Sequence, residues 1–421
     1  MNFDVIVVGA GPTGSTAAWK LARAGVRVLL IDGSEFPRSK PCGEAFSPGA
    51  TPLLDEMGVL DGLRDAGAAT LRGFRLRTPE GRFVSAGFGP VRDGIPSEAL
   101  ALSRRRFDAV LLDAAIAAGA EFRAPLRVFD VAAPDADDAG VRDSPVRLRA
   151  RLRSGRDVTL GARWVIGADG LRSVVARRTV GVRRGPRDRL AVVGRYVPRE
   201  VEGGATNLGE LRLSDRGVLG AAPIEDGVWT VAAVVSRDRA PELSASPLGF
   251  YRAEVEMYGF PPPESEDALA EPLEVTGPFE ITPRAVTAAG VLLAGDAAGY
   301  FDPFTGQGVY RALVTGRHAA EAVAAALADP VRADVARGRY ERELARLLVP
   351  GRRVQKLVDA VVSRPALINP VGRLMARRPG LLSLLLDVTG DRVSSGRLAR
   401  PSALMGAWRG TGPRHRTGAA G

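Results

Sequence analysis

Cysteine is almost absent from this 421-residue chain. Cys42 stands alone, so no internal disulfide can form, and a reducing, cytoplasmic setting is expected. Histidine is nearly as scarce. His318 and His415 lie far from each other and from Cys42, so no metal-ligand spacing exists and no metal is expected. Long apolar runs are also missing. The longest, Leu381–Leu386, sits between Arg378 and Asp387 and falls far short of the ~20 residues that a membrane-crossing helix needs. The chain opens on a predicted strand, Phe3–Val8, in place of a basic leader, so no secretory signal is expected. Lysine occurs only at 20, 40 and 356, so arginine carries the net charge of +10. Those arginines are interleaved with acids, and no motif for reading nucleic acid accompanies them. Dispersed surface charge is the reading, with no nucleic-acid partner.

The composition that remains is that of an ordinary globular protein. Apolar residues at 45% and charged residues at 25% suffice for a large core over two or three domains. Phe3–Val8 and Val26–Ile31 are apolar runs of strand length, and Ser15–Ala24 between them has helical periodicity. The first turn of this β-α-β unit reads Gly9-Ala10-Gly11-Pro12-Thr13-Gly14. Gly9 allows the tight turn, Gly11 lets backbone N–H groups approach a pyrophosphate, and Gly14 lets the helix pack on the strand. The helix N-terminus then faces the anion. Asp32 ends the second strand, where a carboxylate accepts from a ribose hydroxyl. This predicts dinucleotide binding without choosing the dinucleotide.

Leu71–Thr78 and Arg82–Gly87 alternate around Pro79-Glu80-Gly81, a hairpin signature, and Val146–Leu152 with Asp157–Leu160 reads as another. Arg104–Ala118 is helical, Arg163–Ala168 and Val291–Ala294 are buried strands, and Gly308–Leu327 is a long helix. The pattern is strand-rich from Leu190 to about Val235, and helical from about 331 to 400. Asp135–Asp143 reads as a surface excursion. The nucleotide-binding pieces are thus scattered over 1–70, 100–189 and 286–330. Segments 71–99 and 190–285 form a second domain roofing the site, 331–405 a helical region, and 406–421 a disordered tail.

Three further motifs narrow the cofactor. Arg104-Arg105-Arg106-Phe107-Asp108 opens a helix. Gly167-Ala168-Asp169-Gly170 ends a strand, and Gly295-Asp296 ends another, followed by Pro303 and Gly306-Gln307-Gly308-Val309. In this order, over about residues 3–330, the chain resembles the FAD-dependent monooxygenase and geranylgeranyl-reductase-like flavoprotein superfamily. The resemblance implies an α/β fold: an FAD-binding Rossmann-like domain of the glutathione-reductase and p-hydroxybenzoate-hydroxylase type, a discontinuous mixed β-sheet substrate domain, and a helical C-terminal region. It implies that Asp296 binds the ribityl chain, that Arg104 helps hold FAD, and that Asp169 and Gly170 lie near the pyrophosphate and the approach of NAD(P)H. Val128 matches a position whose backbone meets the adenine, with plain core packing an open alternative. Pro12, Thr13, Gly43, Pro303 and Val309 complete the implied cofactor contacts. The helix starting near Gly306 agrees physically: its free N–H groups and positive dipole end suit the flavin edge that turns negative on reduction.

The loop Phe36 to Pro48 holds Pro41-Cys42-Gly43-Glu44. It resembles the geranylgeranyl-reductase loop that lies against the flavin, which makes Cys42 the candidate catalytic residue, with a chemically silent small residue the alternative. The stretch Gly217-Val218-Leu219-Gly220-Ala221-Ala222-Pro223 lacks the aromatics that archaeal prenyl reductases carry there. The Trp-x-Trp-x-Ile-Pro stretch of flavin halogenases is also missing. The favoured expectation is therefore an NAD(P)H-using monooxygenase that hydroxylates or epoxidises a bulky apolar substrate, a secondary metabolite or lipid, through a flavin C4a-hydroperoxide formed from O₂. The alternatives are a C=C reductase of an isoprenoid or lipid, and a flavoprotein electron carrier at the membrane surface. The Arg-flanked helices from 345 to 386 motivate the last of these through peripheral membrane contact; a plain helical cap over the substrate cavity is the favoured explanation of them.

Overall fold

The computed structural model describes residues 3–133, 145–186, 188–201, 207–214, 216–300, 306–362, 364–394, 396 and 401–408. The predicted excursion at 135–143 and Pro303 therefore lie outside the described residues, as does the tail beyond Trp408.

Val5–Val8 and Val28–Ile31 are short, wholly apolar runs, and every residue in them is buried. Such runs suit a parallel sheet covered on both faces. They form the centre of a six-stranded sheet in the order 287–288, 291–293, 164–167, 5–8, 28–31, 121–123, parallel except for the first pair. Helix Pro12–Arg23 leaves this sheet directly after the glycine loop and packs on helix Gly308–Ala328. That contact is backbone-close: Gly316 lies against the Thr13 carbonyl, with no room for a Cβ.

A second sheet has seven strands, in the order 269–276, 189–196, 229–236, 218–223, 208–213, 73–77, 83–87. One face carries Val192, Val231 and Val235 against helix Pro247–Met257. Because side chains alternate along a strand, Ala191, Leu213 and Val234 point the other way, toward Ile368 of helix Pro365–Arg377. The space between this face, the glycine loop and the C-terminal helices is the site.

Both predicted hairpins form, as Gly73–Arg77 with Phe83–Gly87 and Val146–Leu152 with Asp157–Ala162. Helices Thr51–Glu56, Leu60–Asp65 and Pro247–Met257 have no counterpart in the sequence reading, nor does strand Leu269–Thr276. That strand contains Pro272, which lowers its strand signal and confines it to a sheet edge, where it lies. The last helix runs from Pro401 to Trp408, past the expected boundary at 405.

Candidate functional site

The glycine loop is built as its spacing demands. Gly9 has φ +101° and abuts the Ala168 carbonyl, while a Cβ on Gly14 would collide with the Gly9 carbonyl oxygen. Gly11 is the N-cap of helix Pro12–Arg23 and offers no side chain to its N–H groups. Asp32 ties the loop from beside it: Oδ2 accepts from the Ala10 N–H at 2.9 Å, and Oδ1 from the Ser34 N–H at 2.9 Å. Beneath Gly11 lies a buried charged cluster. Arg104 donates to both oxygens of Asp108 at 2.7 Å, and Arg38 donates to Asp108 Oδ2 at 3.1 Å. Arg38 also reaches Asp32 Oδ2 at 3.4 Å, so two guanidiniums and two carboxylates form one network that fixes both arginines under the loop.

The loop opens into a cavity of about 730 Å³. Its near wall holds Gly11, Pro12, Thr13, Cys42, Gly43, Arg104 and Gly170, and also Asp296, Gly306, Gln307, Gly308 and Val309. Gly295 follows strand Val291–Leu293 at φ +59°, and its N–H donates to Thr315 Oγ1 at 2.8 Å. That leaves the next residue, Asp296, facing the cavity, where its carboxylate has no hydrogen-bond donor among the described residues. Burial pushes its pKa up, opposed by Lys40, Arg104 and Arg311. Burial likewise depresses Lys40, and Arg104 adds to the effect. Gln307 caps helix Gly308–Ala328 without a side-chain hydrogen bond, so among the described residues no side chain caps the first N–H groups of that helix.

Some sequence-derived residues point elsewhere. Asp169 turns away to cap helix Val174–Thr179, accepting from Ser173 Oγ at 2.5 Å and from the N–H groups of Val174 at 2.6 Å and Val175 at 3.2 Å. Val128 is 7% exposed, is paired with Ala150 and packs in the main core, outside the cavity wall. A separate open groove of about 410 Å³ beyond Asp32 is lined by Gly33, Ser34, Glu35, Arg127, Arg151 and Arg153. Cys42 is in the wall, and its Sγ accepts from the Glu44 N–H at 3.4 Å.

Sequence reasoning missed the polar supports of this wall. Glu44 is 1% exposed, with φ +56°, and accepts from the Arg104 N–H at 2.9 Å and from Arg195 at 2.8 Å. Arg195 also reaches Glu274 at 2.9 Å and the Lys40 carbonyl at 3.0 Å, so it pins both ends of the Lys40–Glu44 loop. A lone arginine inside the otherwise apolar run Leu190–Val197 was the available signal. Asp391 accepts from Ser47 Oγ at 2.8 Å and Gln307 Nε2 at 2.5 Å, joining the C-terminal region to the Gly306–Val309 segment.

The far half of the cavity is aliphatic. Ala191, Val193, Leu213 and Val234 from the sheet face Val361, Met375, Leu382 and Leu385 from the C-terminal helices. Leu381–Leu386, the longest apolar run, is thus cavity wall and core. Among the described residues no helix is long and apolar enough to cross a membrane.

Comparison with known proteins agrees with this geometry. The FAD binding domain family matches residues 2–241. The menaquinone reductase of Mycolicibacterium smegmatis is 28% identical over 413 residues, 93% of this chain and 92% of that protein. The geranylgeranyl diphosphate reductase of Rhodobacter capsulatus is 29% identical, over 80% of this chain and 78% of that protein. PqsL of Pseudomonas aeruginosa, described as a probable FAD-dependent monooxygenase, superposes with a TM-score of 0.69 at 20% identity, covering 88% of this chain and 99% of PqsL. Flavin-dependent halogenases share the fold as well.

Proposed function

This chain belongs to the FAD binding domain family and is an FAD-dependent oxidoreductase, and from that premise we propose that it reduces a carbon–carbon double bond in an isoprenoid or comparably long apolar lipid. One observation carries the reading: Cys42 and Gly306–Val309 line the same cavity as the aliphatic half, where Glu210, Arg311 and Gln355 are a polar minority among Val, Leu, Ile and Ala side chains. Full-length relatives named as reductases of menaquinone and of geranylgeranyl diphosphate support it. The sequence alone favours monooxygenation, and the PqsL likeness speaks for the fold.

The residues fit FAD. The glycine loop, with no room for a Cβ at Gly14, would take the pyrophosphate, with Arg104 and Arg38 beneath it. Asp296, without a donor among the described residues, would accept from the ribityl hydroxyls. The N–H groups at Gly308 and Val309 would meet the ring edge. Bound there, FAD supplies hydride taken from NAD(P)H. The protein's part is orientation and the exclusion of water by aliphatic walls. Cys42 is our candidate for delivering the proton that accompanies the hydride.

Asp296→Ala is expected to lower flavin occupancy of purified protein at least about tenfold, since a buried acceptor of several hydroxyls is lost. Flavin absorbance per protein measures this, and unchanged occupancy removes the assigned role.

The reaction is tested by anaerobic turnover of a prenyl lipid with deuterated NAD(P)H. The expected product gains two hydrogens, one of them deuterium, and Cys42→Ala slows its formation about 100-fold. A product that forms only in air and carries ¹⁸O from ¹⁸O₂ overturns the reductase and establishes the monooxygenase.

A further inference from the structure

The aliphatic cavity reaches the surface among the C-terminal helices. Leu357 lines the cavity and is also 61% exposed, so the wall there is a rim. Helix Pro365–Arg377 forms the adjacent side of that rim. Its inner face, Ile368, Val371, Gly372 and Met375, follows helical spacing and lines the cavity. Its outer face carries Leu367 and Leu374, seven residues apart and 43% and 37% exposed. Neither lines the cavity. On the last helix, Met405 and Trp408 are 53% and 48% exposed. Among the described residues, every exposed leucine, methionine and tryptophan lies in this stretch from 357 to 408, while the other exposed large apolar residues, six valines and Ile116, are spread from 91 to 349. Scattered exposed apolar residues need no explanation, but their concentration at the mouth of an apolar cavity does.

Charge selects the partner. Residues 345–386 hold eight basic side chains and one acid. The acid, Asp359, is already engaged by Arg189 at 3.1 Å. Arg353, Lys356, Arg364, Arg373, Arg377 and Arg378 are exposed. Arg378 lies 5.0 Å from the Trp408 ring, an aromatic–cation pair of the kind that sits at a lipid headgroup boundary.

We propose that the rim formed by Leu357, helix Pro365–Arg377 and helix Pro401–Trp408 docks on an anionic lipid bilayer, so that the cavity loads its substrate laterally from the acyl phase. The inference rests on the apolar substrate class proposed above. A long isoprenoid partitions into lipid and away from water, so a mouth facing solvent would meet almost none of it. The exposed leucines enter the acyl boundary, and the arginines meet the headgroup phosphates.

The test uses the FAD-loaded full chain in flotation with two kinds of vesicle: phosphatidylcholine alone, and equal parts phosphatidylcholine and phosphatidylglycerol. The protein is expected to float with the anionic vesicles, to release progressively with salt, and to bind the neutral ones at least about tenfold more weakly. Leu367→Asp combined with Leu374→Asp should abolish flotation. It should cut turnover of vesicle-embedded prenyl lipid at least about tenfold while leaving turnover of detergent-dispersed substrate unchanged. Should that variant lose its FAD, Arg364→Glu with Arg377→Glu makes the same test by charge and should weaken anionic binding at least about tenfold. Wild-type protein that ignores both vesicles overturns the docking, as does a solution dimer dissolved by the leucine variant, which would assign the patch to a second copy. Absent turnover in detergent refutes the reductase and leaves flotation to decide the docking separately.

Discussion

Replacing Arg195 with methionine is expected to lower stability by roughly 3–5 kcal/mol, at the top of the usual range for single substitutions. Methionine matches much of the volume but none of the charge. Arg195 is 2% exposed and holds three carboxylates, Glu44, Glu271 and Glu274, at 2.8, 3.1 and 2.9 Å. Glu271 and Glu274 are partly solvated, and Ser39 Oγ lies 2.6 and 3.0 Å from them with one proton to donate to either, so they keep some compensation. Glu44 is 1% exposed and would retain only the Arg104 N–H. Burial already lifts the Glu44 pKa, with Arg195 the main opposing influence, so the variant's Glu44 takes up a proton more readily still. A raised acid pKa means the native state keeps a proton that the unfolded chain has released. The defect of Arg195→Met therefore deepens as pH rises above the ordinary glutamate value and shrinks as pH falls. Adding Glu44→Gln removes the orphaned charge and keeps the acceptor for Arg104, so it should recover about 1–3 kcal/mol. Denaturant midpoints of the two variants across pH check this. An Arg195→Met midpoint equal to wild type would mean that the cluster contributes no net stability.

The two halves of the site differ in how far the sequence reveals them. The places of Gly9, Gly11, Gly14 and Asp32 were legible because they follow from backbone geometry: a tight turn, a helix N-cap, a helix–strand contact and a strand end. Their spacing is local, so a linear reading finds it. Asp296 and Gly306–Val309 were legible for the same reason, as a strand end and a helix start. Glu44 with Arg195 and Gln307 with Asp391 are partners 151 and 84 residues apart. No short-range pattern encodes such pairs. Asp169 shows the converse. Its motif was found, but the side chain serves the local helix, because capping offers it three nearby donors.

The reaction was the least legible part, for a physical reason. Aliphatic walls are assembled from residues of five strands and four helices, and any single contribution looks like ordinary core. The aromatic-poor stretch 217–223 illustrates the difficulty. Val218, Ala221 and Ala222 do line the cavity, so small residues there enlarge it. Space of that kind suits a hydroxylated ring and an isoprenoid chain alike, and the length of the cavity toward the C-terminal helices is what favours the chain.

Asp391→Asn is expected to stabilise the protein at pH 8 by roughly 2–4 kcal/mol, with the gain shrinking to about 1–2 kcal/mol near pH 5 and vanishing below about pH 4. The carboxylate of Asp391 is enclosed between Ser47 and Gln307, and burial pushes its pKa up to about 7, against the pull of Ser47, Arg311 and Gln307. In the unfolded chain the same group titrates near 3.8. Between these values the unfolded state has lost the proton and the native state retains it, so stability falls as pH rises through that window. Above about pH 7 both states are ionised, and the native state carries the full cost of a buried carboxylate. Asparagine removes the titration; its Oδ1 still accepts from Gln307 Nε2, and its Nδ2 replaces the oxygen facing Ser47, whose hydroxyl can accept in turn. It also accepts the backbone, since Asp391 has φ +57°, a left-handed conformation that asparagine tolerates well. Urea midpoints of wild type and variant, taken in parallel from pH 5 to 8, isolate this residue from every other titrating group. Two parallel curves would place the Asp391 pKa back in the ordinary carboxylate range. Converging curves at low pH would show that the link between the C-terminal region and Gln307 is protonated where it is strongest. Ionisation then loosens the contact that holds the Gly306–Val309 segment against the cavity, so flavin retention in the wild type should weaken over the same pH range and hold steady in Asp391→Asn.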